Sequence, residues 1–190
     1  MSVLEQIKSR VSNPLFENAE ISDETICTLL DAAVCTAVHY NTEPWRFLVL
    51  KGEARVRFGN FLAERAASEM DDPNEPLNVT KLTRIRNKPL RAPVIIVAGA
   101  AKSDNPKALM VEDIASVNCA CHNILLASDE LGLAAMWRTG SITYEEDVTS
   151  FLGFESGTKL VAFIYLGKPA KSSISKTRKS SYYFTRWMDQ

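Results

Sequence analysis

Apolar positions along the chain fall into helical and strand-like spacings in turn. Ile26, Leu29, Leu30, Ala33 and Ala37 recur three and four residues apart and so share one face of a helix. Ser22 precedes that run as an N-cap, with Asp23 and Glu24 in the first turn, and the pattern predicts a helix reaching about residue 38. The polar stretch His39-Tyr40-Asn41-Thr42 breaks it. Pro44 then suits a loop ahead of a strand, and the apolar run that follows predicts a strand over Trp45–Lys51. Helical spacing returns over 53–70, with Val56, Leu62 and Ala66 pointing inward, and the acid- and proline-rich residues 71–76 form a loop. A basic helix over 79–88 ends near Pro89. The unbroken apolar residues 93–98 predict a fully buried strand.

Residues 109–131 form a long helix with small residues on several faces, a pattern that suits crossing the interior. Gly132 ends it, and a short strand follows over Ala134–Arg138. A helix over 145–152 and a central strand over 160–166 complete the core, and residues 2–10 add a short helix at the start. Residues 169–179 are polar and loop-like, while 182–187 are aromatic and extended. That aromatic end either folds back on its own sheet or adds to a neighbour's. Four strands among many helices predict an α+β fold, a mixed β-sheet flanked by helices on both faces.

At 190 residues the chain is long enough for one well-buried domain, here expected to span 1–190. The net charge of -1 gives no basis for binding nucleic acid or an anionic membrane. Charges by residue 5 and an apolar run of only half a membrane span point to a cytoplasmic protein. Lys81, Arg84, Arg86, Lys88 and Arg91 are read as a solvated face. Cys27, Cys35, Cys119 and Cys121 are expected to be reduced core thiols. Cys119 and Cys121 point to opposite sides of a helix, so no metal site is expected.

The stretch Thr36-Ala37-Val38-His39-Tyr40-Asn41-Thr42-Glu43-Pro44-Trp45-Arg46-Phe47 places polar side chains between a buried helix and a buried strand, where ligand contacts are often held. It resembles a segment of the flavin-dependent nitroreductase family, Ala-Pro-Ser-x-x-Asn-x-Gln-Pro-Trp-x-Phe. Asn41, Pro44, Trp45 and Phe47 match, whereas Ala37, Val38 and Glu43 replace Pro, Ser and Gln. His39 and Glu43 resemble a subgroup of small nitroreductases. Arg10-Val11-Ser12-Asn13-Pro14-Leu15-Phe16 resembles the family's Arg-Arg-Ser-x-Arg-x-Phe, with Val11 and Pro14 replacing two arginines. By that resemblance Arg10 and Ser12 meet the FMN phosphate, and an arginine fork suits a dianion. Lys176-Thr177-Arg178 resembles a Lys-x-Arg pair near the same phosphate. A third match runs from Leu131-Gly132-Leu133 through Trp137-Arg138-Thr139-Gly140. There the resemblance implies that backbone at 137–139 meets the polar edge of the isoalloxazine and that Arg138 stabilises electron density on the reduced ring.

The resemblance thus implies an intertwined homodimer whose tail, about residues 168–190, embraces the partner. FMN would be held by Arg10, Val11, Ser12, Val38, His39, Asn41, Glu43, Trp137, Arg138, Thr139, Lys176 and Arg178. The implied activity is hydride transfer from NADH or NADPH through FMN to a nitroaromatic, quinone or similar small acceptor. No catalytic side chain is required for hydride transfer, because the cofactor carries the chemistry. Other flavin chemistries (flavin reduction, enoyl reduction, dehalogenation) and a non-catalytic FMN-binding protein are the alternatives, and a flavin-free binding domain would be colourless.

Overall fold

A computed structural model describes residues 2–172 and 176–189. The middle of the expected 169–179 loop, residues 173–175, lies outside the described residues. Among the described residues six α-helices, α1 (Val3–Ser9), α2 (Asp23–Val34), α3 (Glu53–Ser68), α4 (Pro76–Asn87), α5 (Met110–Glu130) and α6 (Glu146–Phe151), surround four strands. The strands are β1 (Trp45–Lys51), β2 (Val94–Ala100), β3 (Ala134–Arg138) and β4 (Lys159–Gly167). They form one sheet in the order β1-β2-β4-β3, and each pair is antiparallel. The expected mixed sheet is therefore antiparallel throughout among the described strands.

Strand periodicity explains why β2 reads as unbroken apolarity. Val94, Ile96, Ala98 and Ala100 pack against α2 and α5, while Ile95 and Val97 face α3 and α6 on the other side. Both faces are covered, so every β2 residue is buried. The α5 side is built from small and aliphatic residues such as Ala33, Ala98, Ala120 and Ala162. The opposite side is aromatic: Phe58 stacks on Phe163 with ring centres 5.7 Å apart, and Phe61 on Phe151 at 4.0 Å.

Several expected boundaries move, each for a local reason. Helix α2 ends at Val34, four residues early, because Cys35 leaves helical geometry at ψ 52°. Ala37 is therefore exposed rather than on the buried face. Helix α4 begins at Pro76, inside the expected loop, since proline is tolerated in a first helical turn, where its missing N–H is not needed. Helix α5 buries one face only: Asp113, Ser116, Val117, Ala120, Cys121, Ile124, Leu125 and Ser128 point inward, while Val111, Asn118, Cys119 and His122 are exposed. Of the four expected core thiols only Cys121 is buried, and burial pushes its pKa up to about 12. The terminal aromatic segment is not extended at first but forms a 3-10 turn over Ser181–Phe184. It does not fold back on its own sheet, and Tyr182, Tyr183, Phe184 and Trp187 are at least 74% exposed.

Candidate functional site

The N-terminal segment is fixed from both ends. Ser2 caps α1 in a reciprocal pair with Glu5, and Gln6 Nε2 donates to the Leu126 carbonyl at 2.7 Å, which seats α1 on α5. Beyond Arg10 the chain leaves the helix. Asn13 then donates its backbone N–H to Ala135 O (3.2 Å) and its side-chain amide to Lys171 O (2.9 Å), while its Oδ1 accepts from Leu15 N–H (3.0 Å). Asn13 is buried, so these bonds satisfy groups that water cannot reach. The segment lies against the chain that leaves β4, with Phe16 bridging Pro169.

The tail returns to this point. Arg178 Nη1 donates to Lys8 O at 2.9 Å and Nη2 to Arg10 O at 2.8 Å. Residues 168 positions apart in sequence are thereby brought together. Among the described residues Arg10, Lys176 and Arg178 form no ion pair. Arg10, Val11 and Asn13 line a cavity of about 300 Å³ with Gly132 and Ser172, and Asp129 reaches the same cavity without pairing to Arg10. Ser12, between Val11 and Asn13 in sequence, is exposed. The Arg10 charge is felt nearby: partial desolvation first, and Arg10 second, hold the His122 imidazole below its ordinary value.

The end of β3 makes a second group. Trp137 packs on the α5 side of the sheet, and with Thr139, Met110, Ile114 and Asn118 it lines an open cavity of about 850 Å³. Arg138 points to the other face, as alternation along a strand requires, and its guanidinium sits 6.0 Å from the Tyr165 ring centre. Burial raises the Tyr165 pKa, and the charges of Arg138 and Arg91 oppose that rise. The structure thus joins Trp137 to Thr139 but separates both from the Arg138 side chain. Strand β3 is also a sheet edge. Because the Ala135 carbonyl points outward to Asn13 N–H, the N–H and C=O of Trp137, two residues on, point outward too.

Val38, His39, Asn41 and Glu43 form a third group on the loop between α2 and β1. The loop carries three non-glycine residues at positive φ: Tyr40 (53°), Asn41 (51°) and Glu43 (43°). Such backbone persists only where its surroundings fix it. Here His39 Nδ1 bonds Glu112, and Thr42 donates to Asp113 at 2.6 Å, both on the first turn of α5. Asn41 and Glu43 are exposed. At about 1.5 Å per residue, Glu112 lies about 20 Å along α5 from the Leu126 that anchors α1, so this loop and Arg10 sit toward opposite ends of one helix.

Sequence reasoning missed Asn13, Glu112 and Asp113 as structural partners. An Asn just before Pro14 is a turn signal, so Asn13 was within reach. Glu112 and Asp113 acquire their role only through tertiary contact. Asn123 donates to the carbonyls of Ala32 and Cys35 and so finishes the α2 C-terminus. No group of three or more His, Cys, Asp or Glu that could hold a metal occurs among the described residues. No described helix is long and apolar enough to cross a membrane.

Three comparisons bear on this arrangement. The family model described as "Nitroreductase family" matches residues 7–168. The protein named "Putative NAD(P)H nitroreductase YdjA" from Escherichia coli K12 is 30% identical over 169 residues, which is 89% of each chain. The crystal structure of a nitroreductase-like family protein from Bacillus cereus superposes with a TM-score of 0.84 at 21% identity, covering 100% of this chain and 97% of that one. A nitroreductase with bound FMN from Bacteroides fragilis superposes with a TM-score of 0.72 at 20% identity, covering both chains fully.

Proposed function

Because the chain belongs to the nitroreductase family, we propose that it is an FMN-dependent oxidoreductase. In this reading it takes hydride from NADH or NADPH and passes it to a quinone, nitroaromatic or similar small acceptor. The observation that carries the reading is the docking of Arg178 on the carbonyls of Lys8 and Arg10. It gathers cations from both ends of the chain beside a cavity, with no carboxylate paired to them among the described residues. A phosphate dianion fits such a donor set, and a guanidinium fork offers it two parallel bonds. The outward N–H and C=O of Trp137 fit the alternating donors and acceptors on the polar edge of an isoalloxazine. When bound, FMN supplies the hydride chemistry, and the protein supplies position and field.

In that role Arg10, Ser12, Lys176 and Arg178 hold the phosphate, and Val11 gives the cavity an apolar wall. Trp137 and Thr139 meet the ring through backbone groups. Arg138, on the other face of the sheet, acts only through its charge. Val38, His39, Asn41 and Glu43, about 20 Å along α5 from the Arg10 group, are assigned in this reading to the flavin held by the partner subunit. A homodimer is part of the same reading. Val111 on the outer face of α5 and the exposed tail aromatics are apolar surface that a second copy would cover, with residues of about 168–190 embracing the partner. The whole chain, 1–190, then acts as one cytoplasmic domain without nucleic-acid or membrane partners.

The test is the absorbance spectrum of the purified protein followed by anaerobic titration with NADH and with NADPH. A yellow protein bleached by either nucleotide is expected. A colourless protein that binds no added FMN overturns the reading.

A further inference from the structure

Holding the flavin leaves one side chain with unused chemistry. The His39 ring is fixed on two sides, by Glu112 at Nδ1 and by stacking on Tyr40 with ring centres 4.1 Å apart and planes 23° from parallel. The next carboxylate along α5, Asp113, takes the Thr42 hydroxyl. Two successive acids of one helix therefore clamp both ends of the His39–Thr42 turn, which holds two left-handed non-glycine residues. A carboxylate at Nδ1 selects the tautomer with the proton on that nitrogen and leaves Nε2 as the exchanging atom. Nε2 has no partner among the described residues. Among the described residues the ring touches Glu112 from α5 and Tyr40 from its own loop; Asp113 is engaged by Thr42, and Arg46 donates to the carbonyls of Glu43 and Trp45.

We propose that His39 delivers, from Nε2, the proton that an oxygen-centred acceptor takes up as it is reduced, and that Glu112 is the positioning residue that aims the ring. The proposal rests on the flavin reading above. With a quinone, NAD(P)H supplies a hydride, which carries the electron pair to the acceptor by way of FMN. One quinone oxygen is left with negative charge. The Nε2–H bond breaks as an O–H bond forms on that oxygen, and the imidazolium becomes neutral imidazole. Water then returns a proton to Nε2. Quinone, NAD(P)H and one proton give hydroquinone and NAD(P)+, so charge and electrons balance.

Stopped-flow kinetics on the full-length holoprotein separate the step, with NADPH as reductant and a soluble benzoquinone as acceptor. The readout is the ratio of the quinone half-reaction to the NADPH half-reaction. His39→Gln is expected to lower that ratio about a hundredfold, in the usual range for a positioned acid, and to abolish the solvent deuterium isotope effect on the quinone step. Glu112→Gln, which keeps the imidazole, is expected to lower the ratio by a smaller factor, and added imidazole to restore part of the His39→Gln loss. Independently of turnover, nitrogen NMR of the protein should show His39 protonated at Nδ1 in the wild type and shifted toward the other tautomer in Glu112→Gln. If His39→Gln keeps its flavin and its ratio stays within about twofold of wild type, the proton role is overturned and the flavin reading stands. If His39→Gln loses flavin, Glu112→Gln decides by the same ratio and isotope effect. A wild-type protein that binds no flavin removes the premise and the proposal with it.

Discussion

Replacing Arg178 by alanine removes two things at once, a cation beside the Arg10 cavity and the pair of bonds that ties the tail to Lys8 and Arg10. Hydrogen bonds to a charged group are worth about 1.5–3 kcal/mol when the charge is held in place, so FMN affinity should fall about ten- to a hundredfold. Arg178 is exposed, which places the expectation toward the lower end of that range. Arg178→Lys keeps the charge but cannot bond both carbonyls with one planar group, and most of the loss should remain. Fluorescence titration of the apoprotein with FMN, and in parallel with riboflavin, isolates the phosphate contribution. Riboflavin lacks the phosphate, so its affinity should be nearly the same in wild type and variant. The reasoning is refuted if FMN affinity stays within about twofold of wild type, or if riboflavin affinity falls by the same factor as FMN affinity.

Other outcomes follow from the same geometry. Deleting residues 182–190 should convert a dimer to a monomer on size-exclusion chromatography and release flavin, since Tyr182, Tyr183, Phe184 and Trp187 are largely exposed in the single chain; a truncated protein that stays dimeric and yellow refutes the embracing tail. In the native protein a thiol reagent should modify Cys27 and Cys35 quickly and Cys121 only on unfolding, because Cys121 is buried with its pKa pushed up to about 12. Modification of Cys119, exposed on α5, should be slow in a dimer and fast in a monomer, as mass spectrometry can read. The depressed pKa of His122 means that the unfolded chain takes up its proton first as pH falls. That part of the stability is present at neutral pH and is lost as pH falls through the imidazole's ordinary value toward its lower folded one. Thermal melts of His122→Gln against wild type over mildly acidic pH should show a shallower decline in the variant.

Much of this fold is written in local pattern. The Ser22 cap, the two acids after it and the apolar spacing of Ile26, Leu29 and Ala33 mark the start of α2 and its inward face. Strand β1 keeps its sequence-derived limits because Pro44 punctuates it and its apolar run is long enough to be unambiguous. The likeness of 10–16, 36–47 and 131–140 to one family is likewise a property of the linear sequence. What the sequence could not decide is what depends on distant partners. The end of α2 is finished by Asn123, and the loop beyond it is held by Glu112 and Asp113, so periodicity alone carried the helix four residues too far. Whether a thiol is buried depends on which face of a helix meets the sheet, and a stretch rich in small residues, such as α5, leaves that open. Arg138 looked equivalent to Trp137 and Thr139 until the strand's alternation sent it to the opposite face. Most of all, Arg178 acquires its place only when the tail crosses back to Arg10, because a charged side chain's partners are set by long-range closure that no local pattern encodes.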